Sequence, residues 1–246
     1  MNHATFHFHD ELNDFLPRQQ RGKVINHPFD WRASIKDMIE SLGVPHAEIE
    51  MLVVNGRSVD FDYVVQANDA IHVYPYGETT ALADKIPLRP PLQGKARFVL
   101  DTHLGRLAAY LRMLGFDTLY RNNYDDEELA RISWQESRIL LTRDIGLLKR
   151  KTVIYGYFVR NTDSKKRVLE VIRRFRLLDA VEPFKYCMKC NGLLQLIPKE
   201  AVLHRISEQT ARYYDQFHHC PSCDQVYWMG SHYQRMQQFM DEVLAR

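Results

Sequence analysis

The first 186 of the 246 residues contain no cysteine. Disulfide staples therefore cannot hold that part together, and a chain of this length can bury a sizeable core without them. No apolar run approaches the roughly 18 residues that span a bilayer, so no membrane helix is expected. The phosphate-cradling patterns G-x-x-x-x-G-K-[ST] and G-x-G-x-x-G are missing, and so is G-x-S-x-G. Nucleotide-hydrolase, dinucleotide-binding and serine-hydrolase readings lose their usual support. With 11 Gly and 10 Pro the chain is neither collagen-like nor of low complexity, and 45% hydrophobic residues argue for a folded protein. The stretch from Met1 to Leu16 is polar and lacks the basic region, apolar core and cleavage site of an export signal, so a cytoplasmic location is expected.

The formal charge of +2 hides an asymmetry. Residues 1–90 carry 8 Lys/Arg against 13 Asp/Glu, and residues 91–246 carry 25 against 18. An acidic half joined to a basic half implies modules with different partners, the basic one suited to a phosphate backbone. Its basic runs are Lys149-Arg150-Lys151, Lys165-Lys166-Arg167 and Arg173-Arg174 with Arg176.

All four cysteines lie in the last 60 residues, as Cys187-x2-Cys190, 29 intervening residues, then Cys220-x2-Cys223. Two such knuckles let four thiolates close a tetrahedral shell around one Zn²⁺, leaving no position for water. Such a zinc holds structure and does not catalyse. The spacer is longer than usual, so an insertion or hairpin must sit between the knuckles, and His218 and His219 are expected to be bystanders.

The chain divides by pattern into a first unit at 1–80, a linker at 81–95, an α/β region at 96–181 and a Cys-rich region with a terminal helix at 182–246. In the first, Thr5-Phe6-His7-Phe8-His9 alternates like a strand, with Lys23-Val24-Ile25 as its partner. Ser34 opens a helix through Leu42, Glu50 to Val54 runs into the tight-turn pair Asn55-Gly56, and Ala70 to Tyr74 supplies a last strand. This α+β order resembles the β-grasp of ubiquitin and the sulfur carriers. Those carriers end in Gly-Gly, whereas here Gly77 is followed by Glu78, which argues for an interaction domain with a protein partner. Residues 78–95 hold Pro87, Pro90, Pro91 and Gly94, a linker signal.

From Ala96 strands and helices alternate: strands at 97–100, 117–120, 138–142 and 152–159, and helices from Leu104, from Asp125 or Asp126, and from Asp163. Repeated strand–helix units imply a parallel sheet with helices on both faces. Ligands of such sheets bind outside the carboxyl ends of the strands. Asp101 and Asp144 stand at two such ends, and Asp126 starts the helix after the second strand. Three carboxylates there call for a divalent cation, and hard oxygen ligands suit Mg²⁺ or Mn²⁺. Each acid has an alternative role: Asp101, Asp125, Asp126 and Asp163 can cap helices, and Asp144 can close a turn.

The run from Asp101 through Thr102-His103-Leu104-Gly105-Arg106 to Leu111-Arg112-Met113-Leu114-Gly115-Phe116-Asp117 resembles the RNase domain named from the C-terminal end of the Mut-seven exonuclease, within the PIN-like nucleases. The likeness continues through Asp126-Glu127-Glu128-Leu129-Ala130, Ile139 to Asp144, both Cys knuckles, and Val226 to His232. It covers about residues 96–240, and similar bacterial chains carry a ubiquitin-like domain in front. The resemblance implies a PIN-like α/β domain with a zinc ribbon and a metal-dependent ribonuclease whose acids are Asp101, Asp126 and Asp144. Asp163 is a candidate fourth acid and Asp125 a rival for the second. Arg106 and Arg143, beside these acids, are candidate phosphate ligands, and Tyr227 and Trp228 candidate base-stacking residues. The alternative is an RNA- or ribosome-binding adaptor without turnover.

Overall fold

The computed structural model describes residues 1–75, 86–92 and 94–244, without the side chains of residues 232, 236, 239, 240 and 242–244. Gly77, residues 81–85 and 93 of the expected linker, and the Ala245 end of the last helix lie outside the described residues. The chain forms two compact units, residues 1–94 with 125–158, and residues 95–124 with 159–246.

The N-terminal segment is a five-stranded sheet with one helix: β1 (Asn2–Phe8), β2 (Ile25–Phe29), α1 (Ile35–Ser41), β3 (Ile49–Val54), β4 (Arg57–Val59) and β5 (Ala70–Pro75). Strand order is β2-β1-β5-β3-β4, with β1 and β5 parallel and the other pairs antiparallel. This is the β-grasp arrangement expected from the sequence. Alternation buries Ala4, Phe6 and Phe8 on one face of β1 against Ile35, Met38 and Ile39 of α1 in a single core. Ser34 caps α1 by accepting from the Asp37 N–H at 3.1 Å. Asn55 and Gly56, at φ 50° and 82°, make the turn between β3 and β4. The patterning had not assigned β4, because three residues are too few to show a period. A buried Asp69 ties the far loop together, accepting from Asn55 Nδ2 at 2.8 Å, Tyr63 Oη at 3.0 Å and the Gln66 N–H at 2.8 Å.

The chain continues through β6 (Phe98–Leu100), α2 (Gly105–Met113), β7 (Thr118–Tyr120), α3 (Asp126–Gln135), β8 (Ile139–Thr142), α4 (Ile145–Leu148), β9 (Gly156–Phe158) and α5 (Ser164–Arg174). β6 pairs with β7 and β8 with β9, both in parallel. The strand expected at 152–159 shrinks to β9, because the residues after α4 turn: the Val153 N–H donates to the Arg150 carbonyl at 2.9 Å.

In the first unit, β8 and β9 lie with the β-grasp segment. Phe158 N–H donates to the buried Glu48 carboxylate, Lys149 Nζ donates to the Glu40 carbonyl at 2.6 Å, and Phe15 meets Phe158 edge to face. The described part of the expected linker is docked here. Arg89 donates to the carbonyls of Ala47 and Ile154, each at 3.0 Å, and to that of Ile49.

In the second unit, α2 packs on α5, and Phe98 meets Phe116 and Phe175 edge to face. Gly115 has φ 92°, and a Cβ there would stand 2.0 Å from the Glu182 carbonyl oxygen, so only glycine lets the two backbones meet. Beyond that contact come β10 (Gln195–Ile197), α6 (Glu208–Tyr213), β11 (Phe217–His219), β12 (Val226–Trp228) and α7 (Ser231–Leu244). β10, β11 and β12 form an antiparallel sheet in that order, and β10, α6 and β11 lie in the insertion between the Cys knuckles. No helix of the described residues is long and apolar enough to cross a membrane.

Candidate functional site

Asp101 follows β6 directly. Its Oδ1 accepts from the Thr102 N–H at 2.5 Å and lies 3.2 Å from Thr102 Oγ1, so it caps the short turn leading into α2. Tyr120 Oη donates to the Thr102 carbonyl at 2.7 Å and anchors that turn to β7. Arg106 is exposed on the first turn of α2.

Asp126 and Asp144 belong to the other unit. Asp125 is the cap of α3, accepting from the Glu128 N–H at 2.8 Å. Asp126 is the first helical residue, exposed, with Arg150 Nη2 at 3.7 Å from its carboxylate. The two neighbours thus divide their roles: one carboxylate is consumed by capping, and the other faces Arg150. Asp144 stands two residues past β8. Its Oδ1 accepts from the Gly146 N–H at 2.6 Å and the Leu147 N–H at 3.2 Å, while its own N–H donates to Thr142 Oγ1 at 2.9 Å. Arg143 lies with its guanidinium 5.7 Å from the Phe158 ring centre. Asp163 caps α5 through the Lys165 and Lys166 N–H groups, each at 3.0 Å. Those N–H groups hold its carboxyl below the usual range, the Lys166 one foremost.

The basic runs are unequal. Lys149 is engaged with the Glu40 carbonyl and Arg150 with Asp126, whereas Lys151, Lys165 and Lys166 are exposed.

The cysteines converge as their spacing requires. All four Sγ atoms lie within 4.8 Å of one another, with Cys187 and Cys223 at 3.4 Å and Cys190 and Cys220 at 3.5 Å. A tetrahedron of Zn–S bonds has edges of about 3.8 Å, close to these spacings. The knuckles repeat one backbone design. Cys187 N–H donates to the Gly192 carbonyl and Asn191 N–H to the Cys187 carbonyl; Cys220 with Gln225, and Asp224 with Cys220, do the same. Asn191 and Asp224 turn each knuckle at positive φ, 68° and 59°. Burial pushes the Cys187 thiol up, but the Tyr227 hydroxyl at 3.1 Å and nearby N–H groups outweigh it and bring it down to about 7. Burial and the adjoining sulfurs push Cys223 up to about 12. Four thiolates cannot share this space without a cation, so the donor set fits a four-Cys metal centre. His218 stacks on Phe184 with ring centres 4.8 Å apart, and His219 Nε2 meets Asp224 Oδ1 at 2.7 Å, so both stand outside the donor set.

Two residues that position this centre escaped the sequence reading. Arg112 of α2 is buried and donates from Nε to the Thr118 carbonyl at 2.8 Å, and from Nη1 to the Met188 and Lys189 carbonyls at 3.1 and 3.2 Å. Asn191 Oδ1 accepts from the Thr118 N–H at 2.9 Å, and its Nδ2 donates to Asp117 Oδ1 at 2.7 Å. The signal available was an arginine on the apolar stripe of α2 between Leu111 and Met113. Beside the ribbon, Met113, Phe184, Tyr186, Met188, Tyr227 and Trp228 line a cavity of about 280 Å³. A second cluster also went unread: His7, His9 and His72 bring one ring nitrogen each within 4.8 Å of the others.

Among family models, the one described as Mut7-C RNAse domain matches residues 96–240, and the one described as Mut7-C ubiquitin matches residues 1–81. No curated protein and no solved structure matches the chain.

Proposed function

Because the chain belongs to the Mut7-C RNAse domain family, with the family's ubiquitin-like domain ahead of it, we propose that it hydrolyses RNA phosphodiester bonds at a Mg²⁺ or Mn²⁺ site built from Asp101, Asp126 and Asp144. The observation that supports this reading is where each acid stands within its own unit. Asp101 directly follows the parallel strand β6, Asp144 follows the parallel strand β8 by two residues, and Asp126 is the first residue of α3 after its cap, Asp125. Carboxyl ends of parallel strands are where open α/β sheets present their chemistry. The fold of the strand–helix region is read as PIN-like.

Asp101, Asp126 and Asp144 would hold a divalent ion, which would supply Lewis-acid activation of water and offset the charge that develops on the phosphodiester. The protein contributes the rest. Capping fixes one oxygen of Asp101 through the Thr102 N–H and one of Asp144 through the Gly146 and Leu147 N–H groups, which orients both carboxylates. Arg106 and Arg143 are phosphate ligands in this reading, and exposed Lys151, Lys165 and Lys166 track the RNA backbone. The four cysteines hold a structural Zn²⁺, and the cavity bounded by Tyr227 and Trp228 offers aromatic surface to a base. The β-grasp domain recruits a protein partner, and the protein works in the cytoplasm.

The test is cleavage of labelled RNA by zinc-loaded wild type and Asp144→Asn, with Mg²⁺, Mn²⁺ or neither. Asparagine keeps the capping oxygen, so α4 stays formed. Activity is expected to fall about a hundredfold or more while RNA affinity holds. Full activity in Asp144→Asn removes Asp144 from the site. Wild type that binds RNA but never cleaves it turns the reading to the adaptor.

A further inference from the structure

We propose that His7, His9 and His72 form a second metal site, a three-imidazole centre on the β-grasp sheet that takes Zn²⁺ or a similar late divalent transition ion. The argument starts with register. β1 and β5 are adjacent and parallel, with His7 opposite His72, and the His9 N–H donates to the Val73 carbonyl at 3.0 Å. Phe6, Phe8, Ile71 and Val73 are buried in the domain core, so the alternating positions 7, 9 and 72 share the opposite face. There the three side chains are half-buried, and the ring centres lie 4.4 Å apart for His7 and His9 and 5.4 Å for each with His72.

The rings meet through nitrogen. His9 Nε2 lies 3.1 Å from His72 Nδ1. Two imidazoles on one tetrahedral zinc, at Zn–N bonds of 2.0–2.1 Å, hold their nitrogens about 3.3 Å apart. A pair of neutral rings could account for that spacing by one N–H···N bond, but a third ring nitrogen, from His7, stands within 4.8 Å of both and has no place in that bond. One cation satisfies all three. Tyr74 stacks on His9 at 4.0 Å between centres and 8° between planes, fixing the plane of that ligand. Three neutral nitrogens select ions that prefer imidazole over the oxygen-seeking Mg²⁺. A fourth position is left for water or for a group from a binding partner.

The proposal is independent of the ribonuclease reading, and its test needs no activity. The full chain, purified without a polyhistidine tag and with its thiolate site loaded with Zn²⁺, is titrated with Zn²⁺ and with Co²⁺. A second equivalent is expected, and its Co²⁺ form shows ligand-field absorption without thiolate charge transfer. His7→Gln and His72→Gln should each weaken the second equivalent by more than about tenfold and leave the first unchanged. Imidazole proton resonances of all three residues in wild type should shift together as the second equivalent binds, a readout that needs no variant to fold. Uptake that stops at one ion with those resonances unmoved overturns the proposal. So does a second equivalent that survives both substitutions.

Discussion

Replacing Arg112 by methionine tests whether a buried cation on α2 clamps the four-Cys region to the rest of its unit. Methionine keeps the unbranched apolar stem and removes three hydrogen bonds, to the carbonyls of Thr118, Met188 and Lys189. The losses are unequal. Thr118 is fully buried, so its orphaned carbonyl costs about 1–3 kcal/mol. Lys189 is exposed and Met188 half-buried, so those carbonyls regain water, and their bonds are worth about 1 kcal/mol together. The expected destabilisation is therefore about 2–4 kcal/mol. A second effect acts on the metal. Burial pushes the Arg112 guanidinium pKa down, while Cys187 and Cys190 pull it back up, so cation and thiolates stabilise one another. Outer-shell partners of this kind are worth about 10–100-fold in metal affinity, or about 1.4–2.8 kcal/mol. The assay is denaturant unfolding of the zinc-loaded chain alongside zinc transfer to a chromophoric chelator. Arg112→Lys should fall between wild type and methionine, because a point charge replaces the fork that reaches three carbonyls. Arg106→Met, exposed on the same helix, should change stability by no more than about 0.5 kcal/mol. Wild-type unfolding and wild-type zinc release in Arg112→Met would refute the clamp.

Asp163→Ala separates a cap from a fourth metal acid: it should lower stability through α5 while leaving the cleavage rate of the folded enzyme near wild type, and a rate loss at constant fold would place Asp163 in the site. Because the folded-state pKa of Asp163 is depressed below 3.8, its contribution is present above that pH and fades as pH falls through the lowered value, so Asp163→Ala should lack that part of the acid transition in a pH series of melts. Asp69→Ala removes the acceptor shared by Asn55, Tyr63 and Gln66 and should destabilise the first unit by about 2–4 kcal/mol in urea; an unchanged midpoint would mean that the loop stands without it. Cys223→Ser should lose tight zinc binding and the β10–β12 amide signals while the β-grasp signals persist, and a ribbon that keeps both its zinc and its amides would show that three thiolates suffice.

Much of the fold was legible because its signals are local. The alternation around Phe6 and Phe8, the Asn55-Gly56 turn, the Ser34 and Asp163 caps and the apolar stripe of α2 each act within a few residues. The elements left unassigned are short, β4, α4, α6 and β10 to β12, and the strand expected at 152–159 is cut to the three residues of β9 by the turn before it. Capping was open to Asp101, Asp125, Asp126 and Asp163 from the sequence, and the structure gives it to Asp101, Asp125 and Asp163. Whether Asp125 or Asp126 caps α3 depends on which carboxylate the backbone aims at the Glu128 N–H, and adjacent identical residues leave that choice to geometry.

By itself, then, the sequence determined the donor chemistry. Soft thiolates in two C-x2-C knuckles can close one tetrahedral shell in few ways, because each knuckle bends its own backbone back on its cysteine. A β-grasp order of elements followed equally from periodicity and turn chemistry. Only the tertiary structure decided how distant residues meet. It set Arg112 beneath the Cys187 knuckle 76 residues away, docked Arg89 on three carbonyls, and brought His72 across a parallel register to His9. Those contacts depend on strand register and helix packing over long sequence separations. No local pattern carries that information, because the free energy that selects them comes from burying the whole core at once.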